Sequence, residues 1–418
     1  MRVHVYPSRV LDHAVVGSVP LLEPYGFPSV QNLGAWLQPL FEGMQPFRSS
    51  PEQADLFISF VGPHKPPFVI PSRAELQALS GRPLMPHEAY PIARACQAVY
   101  NHTASLLHRL RYLTAANRHR HFVIMHLPVS YCSVAASSYE TIRPPPEIRD
   151  LLVGLDTDSE VSLSEPRQLH LPFLSSVRWS ASWRHETPPW LNFTRRPVLL
   201  SVTGSVDAGD YAPEIVAIRR AVVAECRTAP LSAACEMLVR DKGDWPSGTH
   251  DGEASPESRV LMRAALLLKR RSVFCVEWPG ASALGVRKSI VDSILSGCIP
   301  IFFAARPAHA CDHAIFPAFV ALHKLALYVP PQPFIKGTVN LSTALASLSA
   351  ERVRRLQRAV ATQATRLLYP LYHVDGEESS RYIRNSAPEV LLRALLKKNI
   401  QPIAHQSSAS CEQGTQTP

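Results

Sequence analysis

The stretch RRSVFCVEWPGASALGVRKSIVDSILSGCIPIFF, residues 270–303, decides the fold that this sequence predicts. Residues 272–276 are a short run of apolar, β-branched and aromatic side chains, which predicts a buried strand. Between 286 and 296 the apolar residues recur on one helical face, and Gly297 is placed to end that helix. Residues 298–303 form a second apolar run. The stretch therefore predicts one βαβ unit, whose strands must be parallel.

The first helical turn of this unit is the predicted ligand site. Ligands of open parallel sheets bind beyond the carboxyl ends of the strands, and the free N–H groups at a helix N-terminus attract anions. Arg287 and Lys288 add two positive charges to that turn. Lys288, Ser289 and Asp292 are predicted to lie along one polar edge of the helix, because of their spacing. A pyrophosphate next to a ribose would use this cation, hydroxyl and carboxylate together.

A simpler interpretation of the same residues stays open at this point. Lys288 and Asp292 are four residues apart, which is the spacing of an ordinary ion pair on a solvated helix surface. Such pairs are common and contribute little individually. Spacing alone favours this surface pair over a ligand site.

The order of residues in RKSIVDSILSGCIPIFF, 287–303, resembles the nucleotide-sugar-binding segment of exostosin-type glycosyltransferases (GT47-like). It is most similar to the xyloglucan galactosyltransferase branch, whose pattern is Arg-Arg-Ser, two residues, Asp-Ser, then Gly-Cys-Ile-Pro. The order of predicted elements follows this family over most of the chain, but only residues 272–303 match it with specificity.

This resemblance implies an α/β fold of GT-B architecture, with two Rossmann-like domains facing each other across a cleft. An N-terminal acceptor-side domain is expected over 1–190 and a C-terminal nucleotide-sugar-binding domain over 191–400. The Gln/Ser/Thr-rich residues 401–418 are expected to be disordered. The implied reaction is transfer of a sugar from a UDP-sugar to a glycan or glycoprotein acceptor, with inversion and without a metal or other cofactor. UDP-galactose is the donor of the similar branch, and UDP-glucuronic acid or an arabinose donor stay open.

Four positions depart from the family pattern. Lys288 replaces the second Arg, which keeps the charge but loses the planar fork that binds phosphate in a bidentate manner. The loop around Gly280 has Ala281 where an acid is expected, and Glu277 would replace that acid only after a rearrangement of the loop. Val206 follows Gly204 where an Arg is usual, and Arg120 precedes His121 where an Asp is usual.

The candidate catalytic base is His126, which lies at the end of the predicted strand HFVIMHLP, 121–128, a strand that Pro128 cuts off. A base that deprotonates an acceptor hydroxyl needs a pKa near neutrality, and histidine has one without much tuning. A single histidine at a strand end is nevertheless more often a hydrogen-bonded structural residue. The family resemblance does not decide between these two interpretations.

Two candidate metal motifs are rejected at this stage. Residues 156–158 form an Asp-Thr-Asp motif, but the surrounding Ser and Glu residues and the lack of a clear preceding strand indicate a solvated acidic turn. His309, Cys311 and His313 have neither helical spacing nor an evident fourth ligand, so an ordinary loop is predicted. No metal site is expected.

Composition indicates a globular α/β protein with room for two cores. The chain has 418 residues, is 46% hydrophobic and carries a formal net charge of +9, which suits anionic ligands. No zinc-finger spacing or arginine-aromatic repeat indicates a nucleic-acid partner.

No apolar run approaches the ~20 residues that span a bilayer. Relatives of this type are Golgi proteins with an N-terminal anchor, so Golgi localisation is implied and membrane association would require an anchor that this sequence lacks. A homo- or hetero-oligomer stays open.

The eight cysteines are too few to form a disulfide scaffold in a chain of this length. Cys226 and Cys235 are the pair most suited to a disulfide in an oxidising compartment. Cys275 and Cys298 lie in the two predicted core strands and are interpreted as packing residues. The sequons at Asn101, Asn192 and Asn340 are weak signals, because short sequons arise by chance.

Outside the central unit, the sequence predicts further elements with less detail. Strands are predicted at 2–7, 53–61, 197–203 and 322–330. Helices are predicted at 88–116, 212–239, 258–271 and 341–370, the last one broken near Ser349. Residues 129–190 are predicted to be rich in loops.

Two other functions stay open beside the enzyme. In one, the chain is a non-catalytic nucleotide-sugar-binding or partner subunit of a glycosyltransferase complex, because the departures at Ala281, Val206 and Arg120 disable the chemistry. In the other, it is an α/β nucleotide-binding protein without sugar chemistry.

Overall fold

The structure is a computed structural model, and it describes part of the chain. The described residues are 2–5, 47, 49–61, 101, 104–105, 107–125, 146–149, 151–156, 169–170, 172, 175, 177, 186–193, 196–206, 213–240, 256–278, 288–304, 319–369 and 385–400.

The first of two parallel sheets is drawn from the N-terminal half. Its five strands are β1 (Val3–Val5), β2 (Leu56–Val61), β3 (His121–Met125), β4 (Leu152–Asp156) and β5 (Leu169–His170). They lie in the order β1-β2-β3-β4-β5, and every neighbouring pair is parallel.

The second sheet follows in the C-terminal half and is also parallel throughout. Its strands are β6 (Val198–Ser205), β7 (Cys235–Arg240), β8 (Ser272–Glu277), β9 (Ile299–Phe303) and β10 (Leu327–Val329). The order β10-β9-β8-β6-β7 reverses direction between β6 and β8. In open α/β sheets the crevice at such a reversal is where ligands bind.

Helices connect and follow these strands. Within the described residues they are α1 (Pro146–Arg149), α2 (Pro213–Arg227), α3 (Pro256–Arg271), α4 (Lys288–Leu295), α5 (Leu322–Leu325), α6 (Pro331–Ile335), α7 (Leu341–Ala346), α8 (Ala350–Gln363) and α9 (Ala387–Ile400). Helix α8 begins where Ser349 accepts a hydrogen bond from the backbone N–H of Arg352, which is the expected N-cap geometry.

The α/β class with two parallel sheets is therefore confirmed, as the expected GT-B architecture requires. The second sheet has the strand-order reversal of a Rossmann-like domain, whereas the described strands of the first sheet follow one another in chain order. The central βαβ unit is confirmed as β8, α4 and β9. Its helix buries Ile290, Val291, Ile294 and Leu295 completely, as the periodicity predicted. The domain boundary at 190/191 stays a prediction.

Four predicted elements are wrong in part. Residues 129–190 are not simply loop, because α1, β4 and β5 lie there; the strands are short, which left no periodicity to detect. The helix predicted over 212–239 ends at Arg227, and β7 follows after a turn that contains Pro230. The strand predicted over 322–330 is limited to β10, since α5 occupies its first residues. The helix predicted over 88–116 is also wrong at its carboxyl end, because a short 3₁₀ helix at Leu107–Arg109 is followed by turns and irregular chain up to 116. Residues 88–100 of that prediction and residues 401–418 lie outside the described residues.

Two disulfides tie the second sheet to its surroundings. Cys226 at the end of α2 is bonded to Cys235 at the start of β7, as predicted. Cys275 of β8 is bonded to Cys298, which precedes β9, so the interpretation of these two residues as packing thiols is wrong. Two half-cystines 23 residues apart in sequence can meet because parallel β8 and β9 are neighbours.

Gly297 ends α4 in a conformation that only glycine adopts easily. Its φ is +75°, and the backbone N–H of Cys298 donates to the carbonyl of Ser293, which is the Schellman pattern. An added Cβ would lie 2.5 Å from the carbonyl oxygen of Pro189 and 2.3 Å from an Nη atom of Arg196. Position 297 therefore has no room for a side chain, because the Arg196 guanidinium lies against this turn.

Arg196 joins the backbone segments that meet at the amino edge of the second sheet. Its three nitrogens donate at 2.7–3.3 Å to five carbonyl oxygens, which belong to Pro189, Asn192, Lys269, Ser272 and Ser296. Burial lowers the pKa of Arg196 to about 10, so the side chain is still charged at neutral pH. One cation thus holds the ends of α3 and α4 and the start of β8 together.

Gly297→Ala is expected to destabilise the protein far more than Gly337→Ala. Both glycines have positive φ, at +75° and +71°, so both substitutions cost about 1 kcal/mol in backbone strain. Only at Gly297 does the new methyl group collide with neighbouring atoms; nothing lies within 4 Å of the Cβ position at Gly337. The collision adds roughly 1–3 kcal/mol. Urea unfolding measures both losses, and equal losses would contradict the described packing of Arg196 under the turn.

Candidate functional site

The candidate site lies where β8 ends and α4 begins, beside the reversal in strand order between β6 and β8. Strand β8 ends at Glu277, and α4 begins at Lys288. Of the predicted site residues, Lys288, Ser289 and Asp292 are described. Gly280, Arg287 and the candidate base His126 lie outside the described residues.

Lys288 and Asp292 form an ion pair at the amino end of α4. Lys288 Nζ lies 2.9 Å from Asp292 Oδ2, so the simple i, i+4 pair is present. It is not solvated, however, because the two side chains are only 23% and 11% exposed. A pair on a freely solvated helix would be far more exposed. The carboxylate is therefore held in a partly dehydrated environment, where charge interactions are stronger than in water.

The other oxygen of Asp292 is bonded to a residue from the first half of the chain. Ser175 Oγ donates to Asp292 Oδ1 at 2.5 Å and accepts from the backbone N–H of Val177 at 2.8 Å. Ser175 is buried, and it belongs to the segment that follows β5. Nearby in sequence, the carbonyl of Pro172 accepts from the buried hydroxyl of Tyr369 at 2.9 Å. This segment therefore packs against the second half of the chain and fixes the orientation of the Asp292 carboxylate.

The half-buried Ser289 faces a second polar cluster, although spacing placed it on one edge with Lys288 and Asp292. Lys269 Nζ of α3 lies 2.7 Å from Ser289 Oγ, 3.0 Å from the Ser289 carbonyl and 2.6 Å from Ser293 Oγ. Helix α4 thus has two adjacent polar rows: Lys288 with Asp292, and Ser289 with Ser293. The role of Ser289 as a ligand stays a prediction.

Glu277 completes this second polar cluster. Its Oε1 lies 3.2 Å from Lys269 Nζ and also accepts from the hydroxyl of Ser293. The side chains of Lys269 and Glu277 are 4% and 2% exposed, so this is a buried ion pair. Among the described residues, Glu277 Oε2 has no hydrogen-bond partner. The Glu277 carboxylate is thus turned towards α3 and α4, and the loop that follows it, 279–287, lies outside the described residues.

Trp278 packs over the end of β6, in the crevice where the strand order reverses. Its indole N–H donates to the Thr203 carbonyl at 2.6 Å, and a Cβ at Gly204 would lie 2.9 Å from that nitrogen. Arg219 of α2 lies over the Trp278 ring at 5.5 Å and donates to the Ser205 carbonyl at 2.7 Å. A buried guanidinium therefore stands at the end of β6, close to where the sequence lacks an Arg after Gly204. Nothing in the local sequence of α2 indicated this position.

His121 is a structural residue at the start of β3. Its ring stacks on Phe57 with centroids 4.3 Å apart, and burial lowers its pKa to about 4, which keeps it neutral at physiological pH. Arg120, which replaces an expected Asp, donates to the carbonyl of Asp55 at 3.1 Å and lies over the Phe57 ring. This departure from the family pattern is therefore compatible with a packed sheet edge.

The structure describes only part of the two candidate metal motifs. Asp156 is the last residue of β4, so the argument that no strand precedes the Asp-Thr-Asp motif is wrong. Thr157, Asp158 and the residues around Cys311 lie outside the described residues. In the described part of the chain, no three His, Cys, Asp or Glu side chains are grouped as metal ligands.

None of the helices in the described part of the chain is both long enough and apolar enough to cross a bilayer.

Lys269→Met is expected to lower the free energy of unfolding by about 3–5 kcal/mol, because it leaves the Glu277 carboxylate buried without a cation. The double variant Lys269→Met with Glu277→Leu should recover most of this loss, since no charge then stays buried. Arg271→Met removes an exposed ion pair, in which the side chains of Arg271 and Glu236 are 56% and 46% exposed. This substitution should lower the free energy of unfolding by less than about 1 kcal/mol. Chemical denaturation compares the three; a double variant no more stable than Lys269→Met would refute the buried pair.

Comparison with known proteins finds limited similarity to plant enzymes. A 98-residue stretch is 35% identical to the probable xyloglucan galactosyltransferase GT12 of Arabidopsis thaliana and covers 23% of this chain and 18% of that protein. The probable xyloglucan galactosyltransferase GT13 of the same plant is 33% identical over 98 residues, which are 20% of its length. The probable xyloglucan galactosyltransferase GT17 is 25% identical over 250 residues, 58% of this chain and 45% of that protein. The chain thus spans less than half the length of these three relatives.

Other comparisons add little. No family model matches this chain. The crystal structure of CalG4, the calicheamicin glycosyltransferase, aligns with 78% of this chain and 69% of its own, with 10% sequence identity and a TM-score of 0.25, which is too low to support any conclusion. The chain is therefore similar to plant xyloglucan galactosyltransferases, as residues 287–303 indicated, over part of its length.

Proposed function

We propose that this chain is a glycosyltransferase that transfers a sugar from a UDP-sugar to a glycan acceptor, with inversion and without a metal. One observation carries the proposal: Lys288 and Asp292 are largely withdrawn from water at the amino end of α4, beside the strand ends where ligands of such sheets bind. The similarity to probable xyloglucan galactosyltransferases supports the same function.

Three described residues of α4 have a role in this proposal. The diphosphate lies at the amino end of the helix, where free N–H groups and the Lys288 ammonium balance its charge. Asp292 accepts hydrogen bonds from the ribose hydroxyls, and Ser175 holds its carboxylate in place. Ser289 contributes a hydroxyl whose position is set by Lys269. Arg287 precedes Lys288 in the chain and adds a second cation.

The proposed chemistry is a single displacement. The acceptor oxygen forms a bond to the anomeric carbon while the bond to the β-phosphate oxygen breaks, and a base takes the acceptor proton. UDP leaves with the bonding electron pair, so positive charge near the phosphates lowers the barrier. We assign the base to His126, because a histidine is half-protonated near neutral pH and takes up a proton readily.

For the donor we propose UDP-galactose, on the strength of the named relatives, with UDP-glucuronic acid and an arabinose donor as alternatives to be assayed. The acceptor is a glycan or glycoprotein. A Golgi location accords with the two disulfides, since such bonds persist in oxidising compartments.

A second candidate function is a nucleotide-sugar-binding subunit without activity. The orientation of Glu277 favours it, because this carboxylate is committed to Lys269 and leaves the loop with Ala281 in place of an acid. Such a subunit would bind UDP and a UDP-sugar without releasing UDP from it. A protein that binds other nucleotides as well as UDP would be a nucleotide-binding protein without sugar chemistry.

Purified protein incubated with a panel of UDP-sugars should release UDP slowly, and this release should persist in EDTA. Arg287→Ala is expected to abolish it. Lys288→Ala should weaken UDP binding in calorimetry by about tenfold, the equivalent of about 1.4 kcal/mol. Asp292→Asn should weaken binding of UDP more than that of inorganic pyrophosphate, because it alters the ribose contact.

Lys324→Ala is the matched control for Lys288→Ala, because it removes the same charge from an exposed position and should leave UDP affinity unchanged. UDP binding without turnover of any UDP-sugar would support the inactive subunit. Equal affinity for UDP and other nucleotides would point to the third function. Loss of release in EDTA would exclude a metal-independent reaction.

A further inference from the structure

The last turn of α3 approaches α4 with two consecutive cations. Lys269 reaches the row formed by Ser289 and Ser293, as its three contacts there show. Arg270 is the next residue of the same turn, and the neighbouring row of α4 carries Lys288 and Asp292. Arg270 also lies near enough to Asp292 for the two charges to interact.

Arg270 makes no hydrogen bond in the described part of the chain, whereas Arg219, whose Nε is also buried without a hydrogen-bond partner there, still donates through Nη1 to the Ser205 carbonyl. The Nε of Arg270 is buried, and among the described residues it has no hydrogen-bond partner. The guanidinium also forms no ion pair within 4.0 Å in the described part of the chain, and the side chain is only partly exposed. Arg196, by contrast, donates to five carbonyls. A buried donor without an acceptor costs about 1–3 kcal/mol, so the position requires an explanation.

The charges around Arg270 do not neutralise it. Burial lowers the pKa of Arg270, and the nearby Asp292 carboxylate opposes that shift. Asp292, however, already has Lys288 on one oxygen and Ser175 on the other. Both Asp292 oxygens are thus occupied by other side chains, and Arg270 forms neither a hydrogen bond nor an ion pair with this carboxylate in the described part of the chain.

We propose that Arg270 binds a phosphate group of the nucleoside diphosphate, an inference that rests on the proposed function. An arginine suits this role because its planar fork offers two parallel donors to phosphate oxygens. Lys288, the cationic residue of α4, presents its charge on one nitrogen and cannot form this two-pronged contact. Arg270 supplies from α3 the bidentate contact that α4 lacks. In this arrangement the unsatisfied Nε–H donates a hydrogen bond to a phosphate oxygen.

This role and a purely structural role predict different effects on stability. A structural arginine loses its hydrogen bonds when it is replaced, so the protein becomes less stable. Arg270→Gln removes a buried donor that has no acceptor in the described chain, so the free energy of unfolding without ligand should stay the same or rise. Loss of affinity without loss of stability is therefore the expected signature of a ligand contact.

The experiment is calorimetric titration of the purified full chain with UDP and with inorganic pyrophosphate. Arg270→Gln should weaken binding of both by at least about tenfold, as expected for the loss of a charge-assisted hydrogen bond. Arg270→Lys keeps the charge without the fork and should fall between Arg270→Gln and the unchanged protein. Arg271→Gln is the control, because it removes the same charge from the adjacent exposed residue that pairs with Glu236. It should change either affinity less than about twofold.

Each other outcome has a definite meaning. If the unchanged protein binds UDP and Arg270→Gln binds it equally well, the role of Arg270 is refuted while the proposed function stands. Equal losses in Arg270→Gln and Arg271→Gln would also refute it, since only the overall charge would matter. If Arg270→Gln unfolds, Arg270→Lys decides, because full affinity in that variant would exclude the need for a fork. If the unchanged protein binds neither UDP nor pyrophosphate, both proposals fail.

Discussion

The buried ammonium of Lys269 is the interaction on which the rest of the second half depends. It joins three elements at once: α3, which carries it; the end of β8, through Glu277; and the first turns of α4, through Ser289 and Ser293. A buried ion pair is weak evidence for extra stability, because desolvation offsets much of the attraction. Its effect here is geometric. With the ammonium at 2.6–3.2 Å from four oxygens, α4 cannot slide along β8 without leaving a charge unpaired.

The opposite end of α4 is fixed by different chemistry. Arg196 donates to the Ser296 carbonyl just beyond the helix, Gly297 turns the chain, and the disulfide of Cys275 with Cys298 joins the turn to β8. A short helix held at both ends presents its amino terminus in one orientation. The pair of Lys288 with Asp292 is therefore preorganised, which is the condition under which a site binds a charged ligand without first reorganising.

The sequence predicted the central βαβ unit well because its signals are local. Apolar runs, a helical period and a glycine stop depend on neighbours in the chain, and β8, α4 and β9 were found where they were expected. The two-residue strand β5 gives too few residues for a period and was missed. Strand β7 is as long as β8, and it was missed because the helix predicted over 212–239 ran through the turn that contains Pro230.

The residues that shape the site were harder to predict, because their partners are distant in sequence. Ser175 meets Asp292 across 117 residues, and Arg196 meets Ser296 across 100. Lys269 looked like one more basic residue at a helix end, and its burial follows only from the packing of α3 on α4. Cys275 and Cys298 were interpreted as separate core residues, although parallel neighbouring strands place them side by side. Spacing revealed the row of Lys288 and Asp292; it could not reveal that the row is shielded from water.

The central claim is that the amino end of α4 holds a nucleoside diphosphate, and a crystal structure of the chain soaked with UDP tests it most directly. The account predicts the diphosphate at about 3 Å from Lys288 Nζ and from the first backbone N–H groups of α4, with a ribose hydroxyl on Asp292. Well-ordered UDP bound elsewhere, with no contact to Lys288 or Asp292, would contradict it.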